Sequence, residues 1–174
     1  VDAIINNAAI ESGHVKVRYV EVNLRDFING LIRQFESKSN IKKISLKTSF
    51  KNSSAKVCFD EFMITRALSQ LISRAMQATE YNGEVKISVD FPKSEKEFFC
   101  ITIRNSGAGL LNEELSKIEK IFSENGDTAD STVDFPFVLV KSIIGLHHGK
   151  ISINSRLEKG TDIKCTLPIR QICQ

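Results

Sequence analysis

Residues 146–151 read Leu-His-His-Gly-Lys-Ile, residues 159–161 read Lys-Gly-Thr, and residues 166–168 read Thr-Leu-Pro. Apolar and polar residues alternate on both sides of the glycine turn in the second stretch, which predicts two strands joined as a hairpin. The mostly apolar run Phe135–Leu146 predicts a helix that stops at the glycine of the first stretch. The end of the chain is therefore expected to form a helix followed by a closing β-hairpin.

The rest of the sequence changes repeatedly between helical and strand periodicity. Apolar residues spaced three and four apart follow Asn23 and again follow Asp60, which predicts two amphipathic helices with these residues as N-caps. A shorter helix is expected to begin at Asn112. Alternating apolar residues predict further strands at residues 43–50, 85–91 and 99–103. This order predicts an α+β fold, a two-layer sandwich in which helices cover one face of a mixed β-sheet.

The composition favours one domain with a short appendage. A chain of 174 residues that is 41% hydrophobic can bury a core without cross-links. Its net charge of +3 arises from 24 basic and 21 acidic side chains without a block of like charge, so we expect no nucleic-acid-binding surface. The longest apolar run is interrupted by Lys141 and Ser142 and is too short to span a bilayer, so we expect no direct membrane contact.

The cysteines and histidines show no metal-binding pattern. The four cysteines form no CxxC pair and no Cys/His cluster at metal spacing, so no metal site is expected. Cys58, Cys100 and Cys165 lie in predicted strands, and we expect them to be reduced, buried, small apolar side chains.

Five segments resemble, in order, the N box, the first glycine box, the F box and the two later glycine boxes of the sensor histidine kinases. They are residues 67–79, 105–109, 121–122, 138–149 and 159–168. These kinases belong to an ATPase superfamily that includes DNA gyrase and the mismatch-repair proteins and shares the Bergerat sandwich. The resemblance implies an ATP-binding domain in the cytoplasmic part of a larger sensor. It also implies two partners, which are the sensor's own dimerisation helices and a response regulator.

Residues 10–13, Ile-Glu-Ser-Gly, resemble the end of the second dimerisation helix of such kinases. We therefore assign residues 1–13 to the tail of that helix and residues 14–174 to the ATP-binding domain. His14, His147 and His148 lack the acidic neighbour and helical setting of a phosphoacceptor. The phosphorylated histidine of the family would belong to an upstream helix, so we expect no catalytic residue within this chain.

The N box departs from the family pattern at its metal ligand. The resemblance aligns Arg74 with the asparagine that binds the magnesium bridging the phosphates, and a guanidinium has no acceptor atom with which to bind a metal. Gln70 and Gln77 lie on the same predicted helix face, where the family usually carries asparagine and a basic residue. Two interpretations are open for Gln70, Arg74 and Gln77. They form an ordinary solvated helix face, or they belong to the nucleotide site and Arg74 contacts a phosphate without magnesium.

The glycine boxes supply the other expected nucleotide contacts. Gly107 and Gly109 match the glycines of the family's DxGxG motif, but Asn105 replaces the aspartate that accepts from the adenine amino group. An asparagine keeps one carbonyl acceptor, so adenine recognition is expected to be weakened rather than excluded. Gly160 and Thr161 of the last glycine box complete the expected set.

The largest departure is at the lid. Residues 134–137, Asp-Phe-Pro-Phe, stand where the family has a glycine-rich run whose backbone amides receive the phosphates. Asp134 is placed to cap the following helix itself, and Pro136 removes a backbone donor. The polar loop at residues 123–133 is expected to be mobile. Four acidic side chains in this region either repel a triphosphate or form an ordinary solvated acidic loop, and they are Glu124, Asp127, Asp130 and Asp134.

Three functions fit this sequence. The first is a working histidine kinase domain, the second is a pseudokinase domain that serves as a docking or signal-relay module, and the third is another superfamily member such as an anti-sigma-factor serine kinase. We favour the histidine kinase family with weak or lost ATP binding and no magnesium, because the metal ligand and the lid are both replaced. Whether the domain is an enzyme is left open by the sequence.

Overall fold

Two sheets and five helices make up the part of the chain that the computed structural model describes, residues 16–51, 56–94, 96–123 and 135–170. In chain order the elements are β1 (Val20–Asn23), α1 (Leu24–Arg33), α2 (Glu36–Lys42), β2 (Ser45–Phe50), β3 (Lys56–Phe59), α3 (Glu61–Ala78), β4 (Glu84–Asp90), β5 (Phe98–Asn105), α4 (Asn112–Phe122), α5 (Phe135–Leu146), β6 (Lys150–Arg156) and β7 (Gly160–Pro168).

The main sheet has five strands in the order β2-β4-β5-β7-β6. Strands β2 and β4 are parallel, whereas the other neighbours are antiparallel, so the sheet is mixed as predicted. Along β4, Val85, Ile87 and Val89 are buried, whereas the residues between them are only half-buried. This alternation places the core on one face of the sheet, where the helices cover it. The predicted α+β sandwich is confirmed.

The two long predicted helices begin at their predicted caps. The side chain of Asn23 accepts from the backbone N–H groups of Arg25 and Asp26 at the start of α1. The side chain of Asp60 accepts from the N–H of Met63 over 3.0 Å at the start of α3. Each cap satisfies amide donors that have no partner within the helix. The predicted bounds of the C-terminal helix agree with α5.

Some elements were not predicted. Helix α1 ends at Arg33, and the polar helix α2, which was not predicted, follows it. A small antiparallel sheet forms from β1 and β3, in which Val22 pairs with Val57. These strands have four residues each, so neither shows enough alternation to be recognised from sequence.

The prediction for the cysteines was correct for two of them and wrong for Cys58. Cys100 and Cys165 are buried free thiols, whereas Cys58 is disulfide-bonded. The prediction treated β3 in isolation, whereas in the structure the N–H of Cys58 donates to the carbonyl oxygen of Ile169 over 3.4 Å. The chain following β7 therefore runs beside β3, which the sequence did not indicate.

Three predictions fall outside the described residues, namely the tail at residues 1–13, the Asp134 cap and the loop at residues 123–133 beyond Ser123. The division at residue 13 accordingly stays a prediction. Within the described ranges, the helices include none with the length and apolar character needed to cross a membrane.

Candidate functional site

A cavity of about 270 Å³ lies between α3 and the sheet, with α4 and the first turn of α5 at its side. Most of its wall is apolar. The apolar lining residues are Leu71, Ala75, Ala78, Ile103, Leu110, Ile118, Phe137, Ile153 and Ile163. The polar lining residues are Arg74, Gln77, Asn105 and Thr161. A mainly apolar cleft with a few convergent polar groups is typical of a site for a small organic ligand.

The N-box residues lie on α3, and two of the three face this cavity. Arg74 and Gln77 line it, whereas the half-buried Gln70 does not. The guanidinium carbon of Arg74 lies 5.4 Å from the centre of the Phe137 ring, within the range of a cation–π interaction. Phe137 is itself buried and packs edge-on against Phe122 at 5.6 Å. The pair Arg74 and Phe137 therefore joins α3 to the first turn of α5 at the cavity wall.

Asn105 ends β5 and is only 4% exposed. Its side-chain Oδ1 accepts a hydrogen bond from the backbone N–H of Thr161, the second residue of β7, over 3.2 Å. Its Nδ2 group is buried and has no hydrogen-bond partner among the described residues. The site thus contains one buried donor whose acceptor the described part of the chain does not supply.

The glycines of the expected set let backbone segments approach one another around the cavity. A Cβ atom at Gly107 would lie 2.0 Å from the carbonyl oxygen of Ala78 at the end of α3. Gly160 has a φ of +84°, and a Cβ atom there would lie 1.8 Å from the carbonyl oxygen of Asn105. A Cβ atom at Gly109 would lie 2.2 Å from the carbonyl oxygen of Arg156. These three positions exclude a side chain for reasons of packing, whether or not a ligand is bound.

Ser155 is a residue of the site that sequence reasoning missed. Its Oγ accepts from the N–H of Leu110 over 2.9 Å and lies 2.8 Å from the Oγ1 of Thr161. It therefore ties the loop after Asn105 to the hairpin β6-β7. The signal was present in the sequence, because Ser155 continues the inward alternation of Ile151 and Ile153 along β6.

His147 links two helices and has both ring nitrogens engaged. Its Nδ1 donates to the carbonyl oxygen of Ile143 over 2.8 Å, and its Nε2 accepts from the backbone N–H of Asp60 over 3.0 Å. Burial lowers the pKa of His147, against smaller opposing contributions from the Ile143 hydrogen bond and the charge of Asp60. The neutral ring holds the end of α5 against the start of α3, which is a structural role. His148 is exposed.

Magnesium, which the family resemblance implies, has no ligand at the position that the resemblance aligns with the family's asparagine, because Arg74 stands there. Mg²⁺ requires oxygen ligands in near-octahedral geometry. No described lining residue carries a carboxylate, Arg74 offers only donors, and the side-chain oxygens in the described wall are those of Gln77, Asn105 and Thr161. Across the described ranges, no group of three or more His, Cys, Asp or Glu residues could hold a metal ion. No chemical step is therefore assigned to a metal here.

The family described as "Histidine kinase-, DNA gyrase B-, and HSP90-like ATPase" matches residues 59–171. The chain belongs to this family, and within it the chain has the fold of the ATP-binding catalytic domain of sensor histidine kinases. The catalytic domain of the histidine kinase ThkA is similar over 87% of this chain and 97% of that chain, with a TM-score of 0.73 and 27% identity.

Two further similarities concern larger proteins. The "Non-motile and phage-resistance protein" of Caulobacter vibrioides is 21% identical over 98% of this chain and 20% of its own length. The chain thus spans about a fifth of that relative. A structure of ThkA in complex with the response regulator protein TrrA is similar over 94% of this chain and 46% of that chain, with a TM-score of 0.67 and 22% identity.

Proposed function

We propose that this domain serves a two-component sensor histidine kinase and that its cavity binds nucleotide weakly and without a magnesium requirement. The domain would act beside the sensor's own dimerisation helices and a response regulator. The similarity to a kinase captured with its response regulator supports that choice of partner.

The position of Arg74 carries this proposal. It lines the cavity and stacks on Phe137, at the point where the resemblance aligns the family's magnesium ligand. A guanidinium cannot bind a cation, but it can pair with a phosphate directly through charge-assisted hydrogen bonds. A nucleotide phosphate would therefore be attracted by a fixed protein charge, so that magnesium adds little.

The start of α5 supports weak binding. Helix α5 begins at Phe135, so Pro136 lies in its first turn. The first amides of a helix are the donors that receive a phosphate, and proline has none. The buried Phe137 ring occupies the next position. This turn therefore offers fewer amides to a phosphate than a glycine-rich run would.

The second candidate is a pseudokinase that keeps the fold as a docking or relay module and binds no nucleotide. It rests on the same Arg74 and Phe137 contact, which draws α3 and α5 together at the cavity wall. The two candidates differ in one observable, because a docking module shows no saturable nucleotide binding at any salt concentration.

A fluorescence titration with trinitrophenyl-ATP, with and without magnesium and at two salt concentrations, tests the proposal. We expect weak binding that magnesium does not tighten and that salt weakens. Arg74→Met should lower this binding further. The matched control is Arg104→Met, because Arg104 is exposed and pairs with Asp162 on the outer face of the sheet. A tenfold or greater gain in affinity on adding magnesium would contradict the proposal, and the absence of saturable binding would favour the docking module.

A further inference from the structure

The buried side chain of Asn105 has a fixed orientation. The backbone N–H of Thr161 needs an acceptor, and Oδ1 of Asn105 supplies it over 3.2 Å. Exchanging the two ends of the amide would bring Nδ2 against this N–H, so that two donors would face each other. The hydrogen bond therefore decides that Nδ2 is the end left without a partner among the described residues.

A buried donor without an acceptor is costly, and such groups in native proteins usually find a partner in a ligand or a bound water. Asn105 lines the cavity. The residue next to its Nδ2 is a glycine, since a Cβ atom at Gly107 would lie 2.7 Å from Nδ2. Nδ2 therefore lies against the backbone of residue 107, where no side chain is present. Because Asn105 belongs to the cavity wall, a molecule in the cavity can supply the acceptor if the backbone at Gly107 or the Asn105 side chain shifts slightly.

The rest of the wall limits the chemistry of that molecule. Leu71 and Ala75 of α3 face Ile103 and Ile163 of the sheet across a largely apolar space of about 270 Å³. A flat, uncharged ring system fits between such surfaces and presents its polar atoms at its edge.

We infer that the cavity selects a purine with a carbonyl oxygen at its six-position over a purine with an amino group there. The carbonyl oxygen accepts from Nδ2 of Asn105, whereas an amino group would place two donors against each other. This inference rests on the proposed nucleotide-binding function and specifies which base the site takes. An aspartate at this position would leave an acceptor in place of Nδ2, so a single side-chain atom sets the preference.

Inosine and adenosine provide the direct comparison, because these nucleosides differ at the six-position and in the protonation of the adjoining ring nitrogen. Calorimetric titration of the whole chain should show inosine binding about tenfold or more tightly than adenosine, the scale expected when a buried donor is paired or left unpaired. Purine riboside, which carries neither group, should fall between them. The side-chain amide resonances of Asn105 should shift more with inosine than with adenosine.

Asn105→Asp should reverse the preference, because both carboxylate oxygens accept and one still receives the Thr161 N–H. The matched control is Asn154→Asp, since Asn154 is exposed on β6 and should leave the preference unchanged. Equal or tighter binding of adenosine by the unaltered chain overturns this inference and leaves nucleotide binding intact. If neither nucleoside binds, the inference falls, whereas the proposed function is decided separately by the trinitrophenyl-ATP titration, because a nucleoside lacks the phosphate that Arg74 would contact. The unaltered chain gives these answers even if Asn105→Asp fails to fold.

Discussion

The side-chain oxygen of Asn105 accepts a hydrogen bond from the backbone N–H of Thr161 over 3.2 Å, which joins the end of β5 to the start of β7. The sequence indicated only that an asparagine keeps one carbonyl acceptor, so recognition of an adenine amino group was expected to be weakened. In the structure that acceptor is already bonded within the protein, and the end left without a partner among the described residues is a donor. Which end of the Asn105 amide is left unpaired thus depends on a hydrogen bond from the backbone of Thr161, a residue 56 positions later in the chain.

Gly160→Ala should strongly destabilise the domain. The residue has a φ of +84°, and the added Cβ atom would lie 1.8 Å from the carbonyl oxygen of Asn105. Backbone strain and the required displacement together should cost about 3 kcal/mol or more in the free energy of unfolding.

The matched control is Gly145→Ala, because a Cβ atom at Gly145 meets nothing within 4 Å and the residue lies in α5. This change should stabilise the domain by roughly 0.5–1 kcal/mol through helix propensity. Urea denaturation of both variants measures the difference, and equal stabilities would contradict the packing described at Gly160.

His147 should make stability depend on pH. Burial lowers its pKa below the ordinary value of 6.5, so the unfolded chain takes up a proton at a higher pH than the folded chain does. Its contribution to stability is therefore complete above about pH 6.5 and is lost as the pH falls through that value toward the lowered folded pKa. The slope of the unfolding free energy should approach, at most, about 1.4 kcal/mol per pH unit.

Urea denaturation at several pH values between about 5 and 8 measures this slope. His147→Gln should remove the part of the slope that arises from this residue, whatever its effect on overall stability. His148→Gln should change the slope much less than His147→Gln does, because His148 is exposed and its charge is the smallest of the influences on the pKa of His147. An unaltered slope in His147→Gln would show that another group is responsible.

Cys100 and Cys165 should resist alkylation in the folded protein. Both are buried, and burial together with the neighbouring Cys100 raises the pKa of Cys165 to about 12. Because the thiolate is the reactive form, iodoacetamide at about pH 8 should leave both residues unmodified in the native state. In denaturant without reductant, mass spectrometry should find both labelled. Rapid labelling of either residue in the folded protein would contradict the burial.

The fold was largely predictable because most of its elements have strong periodicity. The caps Asn23 and Asp60 and the run that forms α5 are each determined by a few neighbouring residues, which sequence patterns capture. The pairing of β1 with β3 was missed, because each strand has only four residues and their partners lie far apart in sequence. Helix α2 was missed because it buries only Ser39, so it has no apolar stripe.

The candidate site was predictable in its residue types but not in its geometry. The resemblance selected Arg74, Gln77, Asn105 and Thr161, and all four line one cavity. Gln70 is four residues before Arg74 on the same helix but lies outside that wall, because the cavity is lined only by the part of α3 from Leu71 onward. The contact between Arg74 and Phe137 depends on how α3 meets α5. The sequence identifies both residues but does not determine the angle at which α3 and α5 meet.

Calorimetric titration of ATP into the unaltered chain, with and without magnesium, tests most directly the claim that nucleotide binding in this cavity does not require magnesium. The account predicts weak binding with no gain on adding magnesium. It also predicts that Arg74→Asn alone does not restore tight binding, because Pro136 removes a phosphate-binding amide from the start of α5 independently of Arg74. Tight, magnesium-dependent binding of ATP by the unaltered chain would contradict it.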